Sequence, residues 1–183
     1  YFVFSLIAYL NYPGAYAPSA NWLSDLGNPH LNPGGAIYYN LGCAITALCL
    51  MAFYVGLGRW LNGGRRMRTL LIIAQAAGIA ASVSLILAAV FPLGTHTAMH
   101  SFWSKMMSVF LGFFLTFSAT ALMKNPAFKK WLAAFAFAAA LVNFIYGVFL
   151  YDVYLAEWLA IALFIIYVLL VGWSTRSLAR TRD

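Results

Sequence analysis

From Ala36 to Trp173 the chain is a succession of apolar runs of about twenty residues, each closed by a short polar or turn-forming connector. No other feature constrains the fold as strongly. A segment of that length and polarity is stable in hydrocarbon only when its backbone N–H and C=O groups are satisfied internally, which a helix achieves and an open strand does not. A closed barrel needs segments of about ten residues with alternating polarity, and these runs are continuous. Composition agrees: 64% of residues are hydrophobic and 8% charged, the balance of lipid-facing helices. The reading is an all-α fold, a polytopic membrane protein whose bundle of six transmembrane helices forms one domain over residues 1–183.

Five spans are complete: Ala36–Leu57, Leu70–Phe91, Ala98–Met123, Trp131–Leu150 and Tyr154–Trp173. The first helix, "YFVFSLIAYL", is too short to cross and lacks the basic start of a signal peptide. It reads as the outer half of a helix that is incomplete in this sequence. Gly63-Gly64 and Asn125-Pro126 mark turns. Cys43 and Cys49 fall on different faces of one helix, so the spacing does not predict a disulfide.

Charge is sorted by side. Arg59, Arg65, Arg66 and Arg68 follow the second helix, Lys124, Lys129 and Lys130 follow the fourth, and Arg176, Arg180 and Arg182 follow the sixth. Short connectors rich in Lys and Arg stay cytoplasmic, which predicts an N-in/C-in topology. The net charge of +7 is then a topology signal and a contact with anionic headgroups. Nucleic acid is not an expected partner, because the clusters are short and sit directly against spans.

The opposite side collects every histidine and every acid except the terminal Asp183: Asp25, His30, His96, His100, Asp152 and Glu157, with Lys105 about one turn below His100. The segment "NWLSDLGNPHLNPGG" at 21–35 belongs to this outer polar layer, with Asp25 expected to accept nearby backbone N–H groups or cap a helix start and Gly27 to supply a positive-φ conformation unfavourable for residues with side chains. In "HTAMHSFWSKMMS", His96 and His100 are spaced to share a helix face, and Ser104 and Ser108 continue the spacing. A Lys inside a span costs roughly 2.5–3.5 kcal/mol at mid-membrane, so Lys105 is expected beside Asp25, Asp152 or Glu157.

Three readings compete for this layer. One is an interfacial hydrogen-bonding network that fixes loops and helices. A second is a metal site on His96 and His100 with a carboxylate, since two His at i,i+4 suit zinc; no Glu follows the first His as in a zincin. A third is acid–base or nucleophilic chemistry on an amphiphile, with Ser24, Ser101 or Ser104 activated by His, although no G-x-S-x-G elbow is present. Elsewhere packing dominates. Gln75, Gly78 and Ser82, and likewise Gly112, Thr116 and Thr120, form stripes that let helices approach closely. Asn40 and Asn143 are expected to bond across helices. Trp22, Tyr38, Trp60, Trp103, Trp131, Tyr151 and Trp158 read as an interface belt.

The stretches "YPGAYAPSANWLSDLGNP", "YYNLGCAITALCLMAFYVGL", "VFPLG" with its following His, and "YLAEWLAI" resemble the prokaryotic six-helix membrane family catalogued as domain of unknown function 998, over most of the chain. A more distant similarity is to Frag/DRAM-type membrane proteins, which carry a comparable S-D-x-G loop and six spans, and some of which are linked to GPI-lipid remodelling or lysosomal membranes. The positions that match are Ser24, Asp25, Gly27, Pro29 and Asn40, with His100 and Glu157. The resemblance implies the fold and supplies no activity.

The functional expectation is an integral membrane protein, in a prokaryotic cytoplasmic (inner) membrane, with an outer-leaflet polar pocket that binds or processes a lipid-like amphiphile. The alternative is a non-catalytic accessory or structural subunit of a larger membrane complex. The pocket candidates are Asp25, His30, His96, His100, Lys105, Asp152 and Glu157. The catalytic candidates are Ser24, Asp25, His100, Ser104 and Lys105. Membrane lipids and other membrane subunits are the expected partners, and the residues name no cofactor and leave catalysis open. The charge sorting predicts that single cysteines at positions 30 and 65 of a cysteine-free background label from opposite faces of the membrane, 30 from outside. Labelling of both from one face would contradict the topology.

Overall fold

The computed structural model describes residues 1–60, 64–123, 125 and 128–180, with side chains through residue 174. Six helices follow in order: α1 (Phe2–Leu10), α2 (Ala36–Gly56), α3 (Arg65–Val90), α4 (Thr97–Leu122), α5 (Lys130–Val148) and α6 (Tyr154–Arg180). Short 3-10 turns occupy Leu23–Gly27 and Leu57–Trp60. There is no strand among the described residues, and five of the helices are long and apolar enough to cross a membrane. Of the residues named above, Gly63, Lys124, Pro126, Arg182 and Asp183 lie outside the described ones, as do the side chains of Arg176 and Arg180.

The helix boundaries follow local chemistry. α3 stops before Phe91-Pro92, where Phe91 has left the helical region (φ −107°, ψ 76°), because the proline ring disfavours a helical residue before it. The next turn depends on Gly94, whose φ of 91° is open to glycine and strained for other residues. α5 begins after Lys129 in extended backbone (ψ 123°). α3 starts at Arg65, five residues ahead of the apolar span, because long basic side chains continue a helix while their heads remain in water.

Successive helices pack side by side: α2 on α3, α3 on α4, α4 on α5 and α5 on α6. The expected small-residue stripes are packing surfaces. A Cβ at Gly78 would come within 2.7 Å of the Tyr54 ring, and one at Gly112 within 2.8 Å of the Phe144 ring. Without a hydrophobic drive between lipid-borne helices, this close approach and a few interhelical hydrogen bonds hold them together. Asn143 donates to the carbonyls of Ala139 (2.9 Å) and, across to α6, Ala160 (3.3 Å). Ser118 of α4 pairs with Tyr167 of α6 at 3.1 Å. At the basic end, Asn125 donates to the Trp60 carbonyl at 3.2 Å, which joins two of the Arg- and Lys-bearing connectors. Residues 11–35 cover the other end.

Candidate functional site

The 11–35 segment is built from side chains that replace missing backbone partners. Asp25, the third residue of the 3-10 turn, accepts the Trp22 N–H at 2.9 Å and caps the start of that turn. Asn28 accepts the His30 N–H at 2.9 Å, and its side chain rests against Gly94 of the α3–α4 turn. Asn32 is fully buried and donates to the carbonyls of Leu26 (2.9 Å) and Ala8 (3.0 Å). Asn40 of α2 donates to the Gly27 carbonyl at 2.8 Å, so its partner is the loop rather than another helix. Glu157 of α6 accepts the Leu23 N–H at 2.6 Å, and the Trp158 indole donates to the Asn21 carbonyl at 3.0 Å. The segment is thereby fixed to α1, α2, α6 and the α3–α4 turn.

Gly27 departs from the sequence reading. Its φ is not positive; it is the last residue of the 3-10 turn. Glycine is required because a Cβ would stand 2.6 Å from Oδ1 of Asn40 and 2.7 Å from the Tyr39 ring. The constraint is the nearness of α2 rather than backbone strain.

His100 is the best-positioned titratable side chain. Its Nδ1 lies 2.9 Å from the Ala88 carbonyl and 3.1 Å from that of Phe91. Both are acceptors at the end of α3, where carbonyls lack helical partners. Nδ1 therefore carries the proton, and Nε2 keeps its lone pair. Nε2 is buried and has no protein partner. His100 is 5% exposed and lines a cavity of about 180 Å³ enclosed mainly by α2, α3, α4 and α6. The polar end of that cavity is made by Ser24, Asn40, His100, Ser104 and Glu157. The Ser24 hydroxyl and N–H also face the Glu157 carboxyl.

Deeper in, the walls are apolar, with Leu50, Ile165 and Val168 among them. A second polar tier interrupts them: Thr46, Tyr54 and Ser82 line the cavity; the Thr46 hydroxyl is buried without a protein partner, and the Tyr54 and Ser82 hydroxyls have only each other. Ser82 lies six residues before Ala88 on α3, about 9 Å along the axis. The two tiers thus mark two depths of one apolar cleft. Neither Ser24 nor Ser104 hydrogen-bonds Nε2, so His100 is paired with neither serine in the way a hydrolase base is paired with its nucleophile.

The model of the family described as "Protein of unknown function (DUF998)" matches residues 1–177. The chain belongs to the DUF998 family. No curated protein and no solved structure matches it.

Of the positions by which the sequence resembled DUF998 members, Asn40, Ser24, His100 and Glu157 line the cavity, whereas Asp25 and Gly27 shape its cover. Several sequence candidates stand elsewhere. His30 and Asp152 are exposed. His96 is exposed too: it precedes the first turn of α4 with φ −133° and contacts the Thr95 hydroxyl at 3.2 Å. It therefore does not share a face with His100, and no group of three His, Cys, Asp or Glu able to hold a metal ion exists among the described residues. Lys105 does not line the cavity. Its amine sits 4.5 Å from the centroid of the Tyr151 ring, so the partner found for it is a π face rather than a carboxylate.

The second polar tier went unread in the sequence. A hydroxyl inside an apolar span has the same appearance whether it bonds its own helix, as Thr116 does with Gly112, or turns toward a cleft. Tyr54 offered no signal, since a Tyr three residues from the end of a span reads as an interface residue.

Asp25 gives a pH test. Burial pushes its carboxyl above the usual range, offset in part by the Trp22 N–H and the Asn21 side chain. An acid whose pKa is raised on folding holds its proton more tightly when folded, so its contribution to stability falls as pH rises through the window between its unfolded and folded values. The melting temperature of the wild type relative to Asp25→Asn should accordingly decrease as pH rises from the ordinary Asp range upward. An increase across that window would contradict the burial assigned to Asp25.

Proposed function

We propose that this domain binds a lipid-like amphiphile in the cleft beneath the 11–35 segment. The polar end, at Ser24, His100 and Glu157, holds the headgroup, and the apolar walls along α2 and α6 hold the chain. The observation that carries the reading is the convergence on one apolar cavity of His100 Nε2 and Thr46 Oγ1, each buried and without a protein partner, and of the Tyr54 and Ser82 hydroxyls, which have only each other. A buried polar group left unpaired costs about 1–3 kcal/mol, and a few convergent polar atoms in an apolar cleft are the usual layout of a small-molecule site. The charge sorting supports placing the headgroup in the outer leaflet.

The reading is of binding. The imidazole lone pair accepts a proton or a hydrogen bond, and neither Ser24 nor Ser104 is paired with it as a nucleophile. The long apolar helices are compatible with an integral membrane protein, and the surrounding bilayer is then the source of the ligand.

Ile161 lines the cleft one turn below Glu157 on α6, where a larger side chain would occupy the space assigned to the chain. Ile161→Trp should leave the melting temperature of the purified protein within a few degrees of wild type while removing at least three-quarters of the lipid that co-purifies, measured by mass spectrometry after extraction. Equal lipid content in variant and wild type would overturn the proposal.

A further inference from the structure

The headgroup end of the cleft has a marked chemical bias. His100 Nε2 presents a lone pair, because the ring's proton is already donated to the Ala88 and Phe91 carbonyls. Glu157 presents a carboxyl whose Oε2 already accepts the Leu23 N–H. That N–H is consequently spent and unavailable to a ligand. Among the described residues, no Lys or Arg lines the cavity. Lys105, the nearest basic residue in sequence to His100 and Ser104, directs its amine at the Tyr151 ring.

We infer that the site selects an amphiphile whose headgroup donates hydrogen bonds, a hydroxyl or an amine, and rejects one that ends in phosphate. This rests on the preceding reading that the cleft holds an amphiphile. A phosphate needs cationic or N–H donors, for which Arg, Lys and free backbone N–H groups are the usual suppliers. Here it would meet a carboxyl and an imidazole lone pair inside a low-dielectric cleft, where unpaired charge is costly. A hydroxyl on the ligand satisfies Nε2 directly. Asn40 and Ser104 supply further neutral partners for a headgroup with more than one hydroxyl. A primary amine satisfies Nε2 and Glu157 together.

The test uses three probes with the same oleoyl or oleyl chain: monooleoylglycerol, oleylamine and oleoyl lysophosphatidate. Each is titrated into the detergent-purified full chain and bound fractions are read by native mass spectrometry. We expect monooleoylglycerol, oleylamine or both to bind at least tenfold more tightly than the lysophosphatidate, and the relative affinity of the first two tells hydroxyl from amine. Lysophosphatidate binding as tightly as the tighter of the other two would overturn this inference and leave the amphiphile site standing. Failure of all three to bind would overturn both. Glu157→Gln keeps an acceptor for the Leu23 N–H and removes the possibility of a negative charge. In that variant the preference should narrow at least threefold, and an unchanged ratio would also overturn the inference.

Discussion

The end of α3 sets the rest of this structure. A helix that stops inside a bundle leaves its last carbonyls without partners, and in apolar surroundings they cannot turn to water. Here the stop is forced by Pro92, and the donor that answers it is the Nδ1–H of His100, one turn into the next helix. One proton serves two carbonyls, so the histidine is held in a single tautomer and orientation. Its other nitrogen is thereby committed as an acceptor toward the cleft. Local helix termination and the chemistry of the candidate site are the same event.

The cover over the cleft follows a similar economy. The 11–35 segment contains little regular structure, yet its backbone is satisfied by Asp25, Asn28 and Asn32 from within and by Asn40 and Glu157 from α2 and α6. Close packing makes three glycines obligatory, Gly27 against Asn40, Gly35 against Asn32 and the Ala8 carbonyl, and Gly94 against Asn28. A segment fixed at so many points is a rigid cover, and Ser24 reaches the cavity because Leu23 beside it is bonded to Glu157.

Much of this could be read from the residues. The long helices follow from hydropathy and length, because the bilayer dictates both. Asp25 as a turn acceptor and Glu157 as part of the polar layer around the 21–35 segment follow from residue type and placement. What did not follow was anything that depends on which way a side chain turns. His96 and His100 are spaced for a shared face, but the helix begins only at Thr97, so His96 lies outside the repeat that the spacing assumes. Lys105 was assigned a carboxylate on grounds of charge, and the amphipathic ring of Tyr151 performs the same office of sheltering it. Gly27 was read for its backbone freedom, whereas the reason for it is a side chain on another helix. Thr46, Tyr54 and Ser82 converge only through the packing of α2 on α3, which no spacing rule along one helix reports.

The central claim is that the cleft under the 11–35 segment is a ligand site and not a packing flaw. Its most direct test is an experimentally determined structure of the full chain in lipid nanodiscs, at a resolution that separates side chains. The account predicts elongated density between α2 and α6, with its polar end within about 3.2 Å of His100 Nε2. Repacked side chains closing the cleft, or ordered water alone bridging His100 to Tyr54 and Ser82, would contradict it.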